Sequence, residues 1–315
     1  MRTLALLLLC LTACASRRYT TLPEKPPRPH PFMELPRHFE QVKVPGREKP
    51  VQLSYVSEGH GPPLLLVHGL MTSAYSWRYV IEPLSKVYTV IAVDLPGAGL
   101  SDAPTDLSQS PQELGEVLEA FTQQLGFSKV YVVGNSMGGY ITLWWYLAHP
   151  ARFERLMVMH SPGFPETRLY AMHLILQTPG APSLLERLSR NHEQWALDNA
   201  HYYDESNRSR EETREYSRWV AFDDRRECFR RALLETMDPY TMEQLPAEAA
   251  AHHDSMPPLK LLWARHDPLV SPDFGPRYQK LFPEAELVWI DKTSHFIQVD
   301  RPDVTVREIL KFGEQ

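Results

Sequence analysis

Only three cysteines occur in this chain of 315 residues, and two of them, Cys10 and Cys14, lie close to its beginning. If that beginning is removed or modified, Cys228 is left alone, so the fold must be stable without an intrachain disulfide. An excess of basic residues is also lacking, because the net charge is −6 and the pI about 6.1. This balance gives no indication of a nucleic acid partner. No internal repeat is present, and the adjacent His252 and His253 lack further ligands at sensible spacing. Neither a metal nor a cofactor is therefore expected.

The apolar run near the start, residues 4–11, is far shorter than the roughly 20 residues with which a helix crosses a bilayer. It follows Met1-Arg2 and is typical of the apolar part of a secretory signal. Residues 11–14, Leu-Thr-Ala-Cys, resemble the lipobox of bacterial lipoproteins, where cleavage precedes a cysteine that is then lipid-modified. We therefore expect residues 1–13 to be a lipoprotein signal peptide. Cys14 would then anchor the protein in the bacterial cell envelope, at the outer membrane or the periplasmic face. An ordinary signal cut after Ala13 or Ala15 is the alternative.

Residues 14–36 form a segment rich in proline. Six prolines fall within it: Pro23, Pro26, Pro27, Pro29, Pro31 and Pro36. Such a composition favours extended polyproline II structure and does not build a core. The sequence thus predicts a tether that lifts the folded part of the chain off a lipid surface.

Alternating strand and helix patterns fill most of the remaining chain. Residues 38–44 and 51–56 alternate apolar and polar side chains, which is typical of antiparallel edge strands. Continuous apolar runs, as strands buried on both faces require, follow at residues 64–67, 87–93, 130–133, 156–159, 259–263 and 285–290. Helical patterns separate them, at residues 76–84, 111–125, 138–149, 272–282 and 302–312. This order predicts an α/β fold with a mostly parallel sheet covered on both faces.

One long interval, residues 163–256, interrupts the alternation. It shows no strand pattern, and its apolar residues recur at helical spacing, as at Tyr216, Trp219 and Val220. We interpret it as an inserted helical cap over the carboxyl edge of the sheet, where open α/β sheets bind their ligands.

Residues 134–138, Gly-Asn-Ser-Met-Gly, are the most informative motif of the chain. They lie between a predicted buried strand and a predicted helix, the context in which G-x-S-x-G forms a nucleophile elbow. A serine on so sharp a turn needs small neighbours two residues away, and Gly134 and Gly138 supply them. The helix N-terminus then lies where negative charge develops during acyl transfer.

A serine hydroxyl becomes a good nucleophile only beside a base that a third group orients. His295 is the candidate base, because it follows the strand at 285–290 after a short loop. Asp267, just past the strand at 259–263, is the candidate carboxylate, ahead of Glu166. Whether His160 faces the same pocket stays open. The order Ser136, Asp267, His295 is the one that the α/β-hydrolase architecture uses.

Together these features resemble the α/β-hydrolase superfamily, in the branch with a helical cap after the sixth strand. Two further motifs carry the resemblance: His68-Gly69 resembles the H-G turn after the third strand, and residues 94–101 resemble the D-x-P-G-x-G-x-S loop. The resemblance covers residues 39–312 and divides the core into residues 37–162 and 257–315. It implies an oxyanion hole made by the backbone N–H groups of Leu70 and Met137, with His68 and Asp94 supporting loops.

The activity that the resemblance implies is acyl transfer, which we interpret as hydrolysis of a small-molecule, apolar carboxylic ester, as by an esterase or lipase. Haloalkane dehalogenases and cap-bearing epoxide hydrolases carry aspartate at the nucleophile position, so Ser136 argues against both. The elbow also resembles that of carbon–carbon bond hydrolases acting on ring-cleavage products of aromatics. Those enzymes usually have tryptophan after the catalytic histidine, where this chain has Phe296. That activity and a non-catalytic binding protein on the same fold are the alternatives.

Overall fold

The central element of the fold is a mixed β-sheet. The computed structural model describes residues 18–252 and 256–314, so the predicted signal peptide and Cys14 lie outside the described residues. The described part contains the strands β1 (Arg37–Val42), β2 (Val51–Glu58), β3 (Pro63–Val67), β4 (Thr89–Val93), β5 (Val130–Asn135), β6 (Phe153–Met159), β7 (Leu259–Ala264) and β8 (Glu286–Ile290). Their spatial order is β1-β2-β4-β3-β5-β6-β7-β8. The pairs β1–β2 and β2–β4 are antiparallel and the others parallel, which confirms the predicted architecture.

Helices cover both faces of this sheet. As a consequence, every residue of β5 and of β7 is buried. The core helices are α1 (Ile81–Ser85), α2 (Pro111–Gln124), α3 (Met137–Ala148), α10 (Phe274–Leu281), α11 (Ile297–Asp300) and α12 (Pro302–Gly313). Helix α2 begins where the sequence predicts: the Ser110 hydroxyl caps the N–H of Glu113 at 3.2 Å and Pro111 occupies the first turn. The helix predicted over 76–84 is instead a 3₁₀ turn, Ala74–Trp77, followed by the short α1.

The helical cap lies between β6 and β7. It comprises α4 (Thr167–Leu176), α5 (Ala181–Leu188), α6 (His192–Asn199), α7 (Arg210–Ala221), α8 (Asp223–Arg231), a π-helical turn (Ala232–Thr236) and α9 (Pro239–Ala251). Polar contacts fasten α7 to the core. The Trp219 indole N–H donates to the carbonyl oxygen of Thr72 at 2.6 Å, and Glu212 pairs with Arg78 at 2.5 Å. The cap therefore rests directly on the loops that follow β3.

The proline-rich segment packs against the body of the protein over residues 18–36. Leu22 and Phe32 are buried, and the Phe32 ring lies edge-on against Tyr75 of the core, 5.2 Å between centroids. The N–H groups of Arg210 and Glu211, at the start of α7, donate to the carbonyl oxygens of Pro23 and Glu24 at 2.9 and 3.0 Å. The composition predicts a tether that lifts the folded part of the chain off a lipid surface, whereas residues 18–36 pack against that folded part. Apolar side chains of this segment pack against the core, and its backbone carbonyl groups accept hydrogen bonds from the cap.

His30 is the titratable group at the centre of this packing. Its Nε2 lies 3.1 Å from the Glu211 carboxylate and 3.2 Å from the Tyr75 hydroxyl oxygen. Burial lowers the pKa of His30 to about 4, helped by the nearby Arg78 and opposed by Glu211. The docked segment therefore holds a neutral imidazole over a pH range in which an exposed histidine, with a pKa of about 6.5, takes up a proton.

A histidine whose pKa is lowered by folding makes its full contribution to stability above about pH 6.5, the pKa in the unfolded chain. That contribution is lost as the pH falls toward the pKa of the folded state. We predict that the melting temperature of the wild type drops between pH 6.5 and pH 4, and that His30→Gln reduces the drop. Thermal unfolding at a series of pH values measures both. Equal pH dependence in the two proteins would contradict the assignment.

Among the described residues, no helix is both long and apolar enough to span a bilayer.

Candidate active site

Ser136 lies at the junction of β5 and α3, on a backbone turn of unusual geometry. Its φ is 55° and its ψ −126°, a region that residues with a Cβ rarely adopt and that costs on the order of 1–3 kcal/mol. The turn is held in place because the Ser136 N–H donates to the carbonyl oxygen of Met159 on β6, at 2.8 Å. Strain retained at a single serine in this way is characteristic of a functional position.

The two glycines of the motif have steric reasons to be glycine. A Cβ on Gly134 would lie 2.6 Å from the Thr142 hydroxyl oxygen and 2.7 Å from the Cα of Gly139. A Cβ on Gly138 would collide with the backbone carbonyl oxygens of Val67 and His68. Both positions are thus restricted to glycine by backbone or nearby atoms that have no room to withdraw.

His295 and Asp267 form a buried pair beside the elbow. The Nδ1 atom of His295 lies 2.7 Å from Oδ2 of Asp267, while Oδ1 accepts the backbone N–H groups of Leu269 and Val270 at 2.7 and 3.1 Å. Two loops that follow β7 and β8 carry the pair. The Asn135 amide, next to Ser136, donates to the carbonyl oxygen of His295 at 3.4 Å and ties the histidine loop to the elbow.

A second histidine faces the same carboxylate. His160 directly follows β6 and has a φ of 48°, and its Nδ1 lies 3.1 Å from Oδ2 of Asp267. Its Nε2 accepts the N–H of Ala264 at 3.2 Å, which assigns the ring proton to Nδ1, on the side of Asp267. The sequence left the orientation of His160 open; the structure places it behind the carboxylate rather than in the pocket.

Electrostatic interactions and burial determine the protonation states of Asp267 and His160. Burial alone would raise the pKa of Asp267, but the facing rings of His295 and His160 lower that pKa well below its usual range. Burial lowers the pKa of His160, which outweighs the opposite influence of Asp267. At neutral pH, Asp267 is thus a carboxylate, and the ring of His160, 3.1 Å from it, is neutral. Oδ2 of Asp267 thus lies between two imidazole rings, 2.7 Å from Nδ1 of His295 and 3.1 Å from Nδ1 of His160.

The turn after β3 is arranged to present the N–H of Leu70. His68 Nε2 accepts the N–H of Leu95 at 3.0 Å, so its Nδ1 carries the proton and donates to the carbonyl oxygen of Gly69 at 2.8 Å. The Thr72 hydroxyl donates to the same oxygen at 2.9 Å. Because C=O and N–H point in opposite directions across a planar trans peptide, these bonds turn the Leu70 N–H away from His68. The N–H of Met137, in the first turn of α3, has no intrahelical acceptor.

These groups meet at one pocket of about 150 Å³. Ser136, His295, Leu70 and Met137 all line it, and its remaining walls are largely apolar, with the cap contributing Asn199, Ala200, Tyr216 and Met237. Asp267 lies behind His295 and does not line the pocket. The structure therefore brings together the serine, the histidine and both predicted N–H donors, with the carboxylate one layer deeper.

Asp300 connects the cap with the histidine loop, a contact that the sequence analysis did not identify. Its carboxylate accepts the N–H of Ser294 at 3.0 Å, and the N–H of Tyr203 in the cap at 3.0 Å. Burial raises the pKa of Asp300, although these N–H donors oppose the change. The cap segment after α6 is thus attached to the loop that carries His295.

Other predicted residues lie elsewhere. Glu166 precedes α4 and pairs with Arg168 at 2.6 Å, so Asp267 rather than Glu166 contacts His295. Asp94 braces loops, as expected, by accepting the N–H of Ala74 at 2.8 Å and pairing with Arg37 at 3.0 Å. In the described part of the chain, no group of three or more His, Cys, Asp or Glu side chains is arranged to hold a metal ion.

Known proteins of similar sequence include an epoxide hydrolase and a haloalkane dehalogenase. Epoxide hydrolase 3 of Xenopus tropicalis is 26% identical over 87% of this chain and 78% of its own length. Haloalkane dehalogenase 2 of Mycobacterium tuberculosis is 27% identical over 83% of this chain and 92% of its own length.

Solved structures share the fold at lower identity. Cfl2 of Burkholderia cenocepacia is 20% identical, with a TM-score of 0.75 over 92% of this chain and 98% of its own. The 2-hydroxy-6-oxo-6-phenylhexa-2,4-dienoate hydrolase of Rhodococcus sp. strain RHA1 is 23% identical, with a TM-score of 0.69 over 89% of this chain and all of its own.

The family model described as alpha/beta hydrolase fold matches residues 62–302, which is most of the chain and includes the elbow, the histidine loop and the cap. The chain therefore belongs to the α/β-hydrolase fold family.

Proposed function

We propose that this protein is a serine hydrolase of carboxylic esters. The observation that carries the proposal is the buried His295–Asp267 pair, 2.7 Å between Nδ1 and Oδ2, in which His295 lines the same pocket as Ser136 and Asp267 lies behind it. A charged carboxylate on one ring nitrogen leaves Nε2 of the histidine as the basic atom. A base so held, beside a serine on a strained turn, has the composition of an acyl-transfer site.

In the proposed reaction, Oγ of Ser136 attacks the ester carbonyl while Nε2 of His295 accepts its proton. The negative charge that develops on the carbonyl oxygen is stabilised by the N–H groups of Leu70 and Met137. In a serine protease, removing one such donor costs about 3–4 kcal/mol of transition-state stabilisation. The protonated His295 then donates to the departing alcohol. Water, deprotonated in turn by His295, cleaves the acyl-enzyme and regenerates the serine.

Two activities named among the relatives are disfavoured for this chain. Epoxide hydrolases with a cap and haloalkane dehalogenases, as families, resemble this protein but have aspartate where it has Ser136. The carbon–carbon bond hydrolase is the second candidate, because its elbow resembles residues 134–139 and a solved example shares the fold. Phe296 after the histidine, in place of that family's usual tryptophan, favours the ester reaction.

For the location, we propose a lipid anchor at Cys14 in a bacterial cell envelope, as the lipobox resemblance implies. The docking of residues 18–36 on the body would then leave only the few residues after Cys14 as a linker. If the anchor exists, Cys14→Ser moves the protein from the membrane fraction to the soluble fraction. A protein that stays on the membrane despite the substitution contradicts the anchor.

The ester proposal is tested with p-nitrophenyl acyl esters of increasing chain length and the full chain, so that residues 18–36 remain docked. The wild type is expected to hydrolyse the short esters, and Ser136→Ala to give only the background rate. Glu166→Gln, a substitution away from the pocket, serves as the matched control and retains activity. Equal background rates for wild type and Ser136→Ala would refute ester hydrolysis and favour either a carbon–carbon hydrolase or a binding protein.

A further inference from the structure

One residue of the pocket wall carries a buried polar atom that the proposed chemistry does not use. Asn199, the last residue of α6, lines the pocket and is only 4% exposed. Its amide nitrogen donates to the carbonyl oxygen of Trp195 at 2.7 Å. Its Oδ1 atom is buried and has no hydrogen-bond partner among the described residues.

The orientation of this amide follows from its neighbour. If oxygen and nitrogen were exchanged, Oδ1 would face the carbonyl oxygen of Trp195, and two acceptors would be in contact without a proton between them. The nitrogen therefore belongs on the Trp195 side. The atom left without a partner is a carbonyl oxygen, which can only accept a hydrogen bond.

Such an atom is unfavourable in the empty protein. A buried acceptor without a partner destabilises the folded protein, because it has left water without replacing the hydrogen bond. The other polar side chains of the pocket are engaged: the Thr72 hydroxyl donates to Gly69, and the Tyr216 hydroxyl lies 3.4 Å from the Arg78 guanidinium. Asn199 thus offers the pocket an acceptor in walls that are otherwise largely apolar.

We propose that Oδ1 of Asn199 determines substrate specificity by accepting a hydrogen bond from a hydroxyl group on the ester substrate. The inference rests on the proposed ester hydrolysis and names its substrate class: esters that carry a hydroxyl group in addition to an apolar chain. A site that hydrogen-bonds a substrate group discriminates strongly against the analogue that lacks the group, because the buried partner is then left unpaired.

The test uses matched pairs of p-nitrophenyl esters, an unsubstituted acyl chain and the same chain with one hydroxyl, the hydroxyl being moved along the chain. For at least one position, the wild type should show a kcat/KM about tenfold or more above that of the unsubstituted ester, as one hydrogen bond of ordinary strength provides. Asn199→Leu should bring that ratio close to one.

Gln177→Leu is the matched control, since it replaces an exposed amide of the cap outside the pocket and should leave the ratio unchanged. Wild-type ratios near one at every hydroxyl position would overturn the inference, as would a ratio that Asn199→Leu does not alter.

Binding of the same pairs to Ser136→Ala, measured by calorimetry, separates the specificity site from the reaction. If no ester is turned over but the hydroxylated member binds more tightly and loses that advantage in Ser136→Ala/Asn199→Leu, the ester function fails and the acceptor site stands. If neither protein distinguishes the pair, the acceptor site fails.

Discussion

Asp267→Asn is expected to lower kcat for ester hydrolysis by about 10⁴-fold, the drop known for the equivalent change in a serine protease triad. The amide has the shape of the carboxylate but not its charge, so it cannot stabilise the imidazolium that forms when His295 takes the serine proton. Its NH₂ group can also hold the ring in the wrong tautomer. Steady-state kinetics on a p-nitrophenyl ester measure the effect, which should fall on kcat more than on KM.

Two variants give this prediction its controls. Glu166→Gln makes the same chemical change in a carboxylate that pairs with Arg168, and should leave kcat close to the wild-type value. His160→Gln removes the second ring from Asp267 and should have an intermediate effect, because Asp267 keeps its charge and its bond to His295. An Asp267→Asn protein that is folded and retains more than a tenth of the wild-type kcat would contradict the role assigned to Asp267.

Arg78→Met should lower the free energy of unfolding by about 3–5 kcal/mol, the cost of leaving one member of a buried ion pair without its partner. Arg78 and Glu212 have side chains that are 0% and 2% exposed, 2.5 Å apart. The Arg78 guanidinium also lies 4.5 Å from the ring centroids of both Tyr75 and Tyr79. Its removal therefore also abolishes two cation–π contacts. Urea unfolding, monitored by circular dichroism, measures the change.

The double variant Arg78→Met/Glu212→Leu distinguishes the loss of the pair from the loss of packing. Since it removes both charges, it should be more stable than Arg78→Met alone, although one fewer contact joins the cap to the core. If the double variant were as unstable as Arg78→Met, the unpaired charge of Glu212 would not be the cause. Loss of packing around Tyr75 and Tyr79 would then explain the result.

The sequence predicted the parts of the site that follow from local pattern. Each of Ser136, Asp267 and His295 follows a strand of the parallel part of the sheet, and the carboxyl ends of parallel strands meet at one edge. A strand pattern and a G-x-S-x-G turn are local signals, so their positions could be read from a few neighbouring residues. The bond between His295 and Asp267 spans 28 residues but needs only the correct order of strands.

Contacts across the cap could not be predicted in the same way. Asp300 meets Tyr203 from 97 residues away, and the position of Asn199 in the pocket wall depends on how α6 lies over the core. Nothing in helical spacing determines where a cap rests on a sheet. His160 gave a partial signal, as a histidine at the end of a strand, but its tautomer depends on the N–H of Ala264 in a different strand.

The proline-rich segment shows a different limit of sequence analysis. Its composition predicts an extended chain, and an extended chain can still bury individual side chains on a surface that another part of the protein provides. Besides Pro26, Leu22 and Phe32 are buried in this way. Their presence among prolines and charged residues was the available signal, and composition averaged over the whole segment concealed it.

The central claim is that His295, held by Asp267, activates Ser136 as a nucleophile. Reaction of the folded protein with a fluorophosphonate probe, followed by mass spectrometry of the intact chain and its peptides, tests this without any knowledge of the substrate. The account predicts one adduct, located on Ser136, that is absent in Ser136→Ala and forms far more slowly in Asp267→Asn. A folded wild-type protein that acquires no adduct on Ser136, or that is labelled equally when Ser136 is alanine, would contradict it.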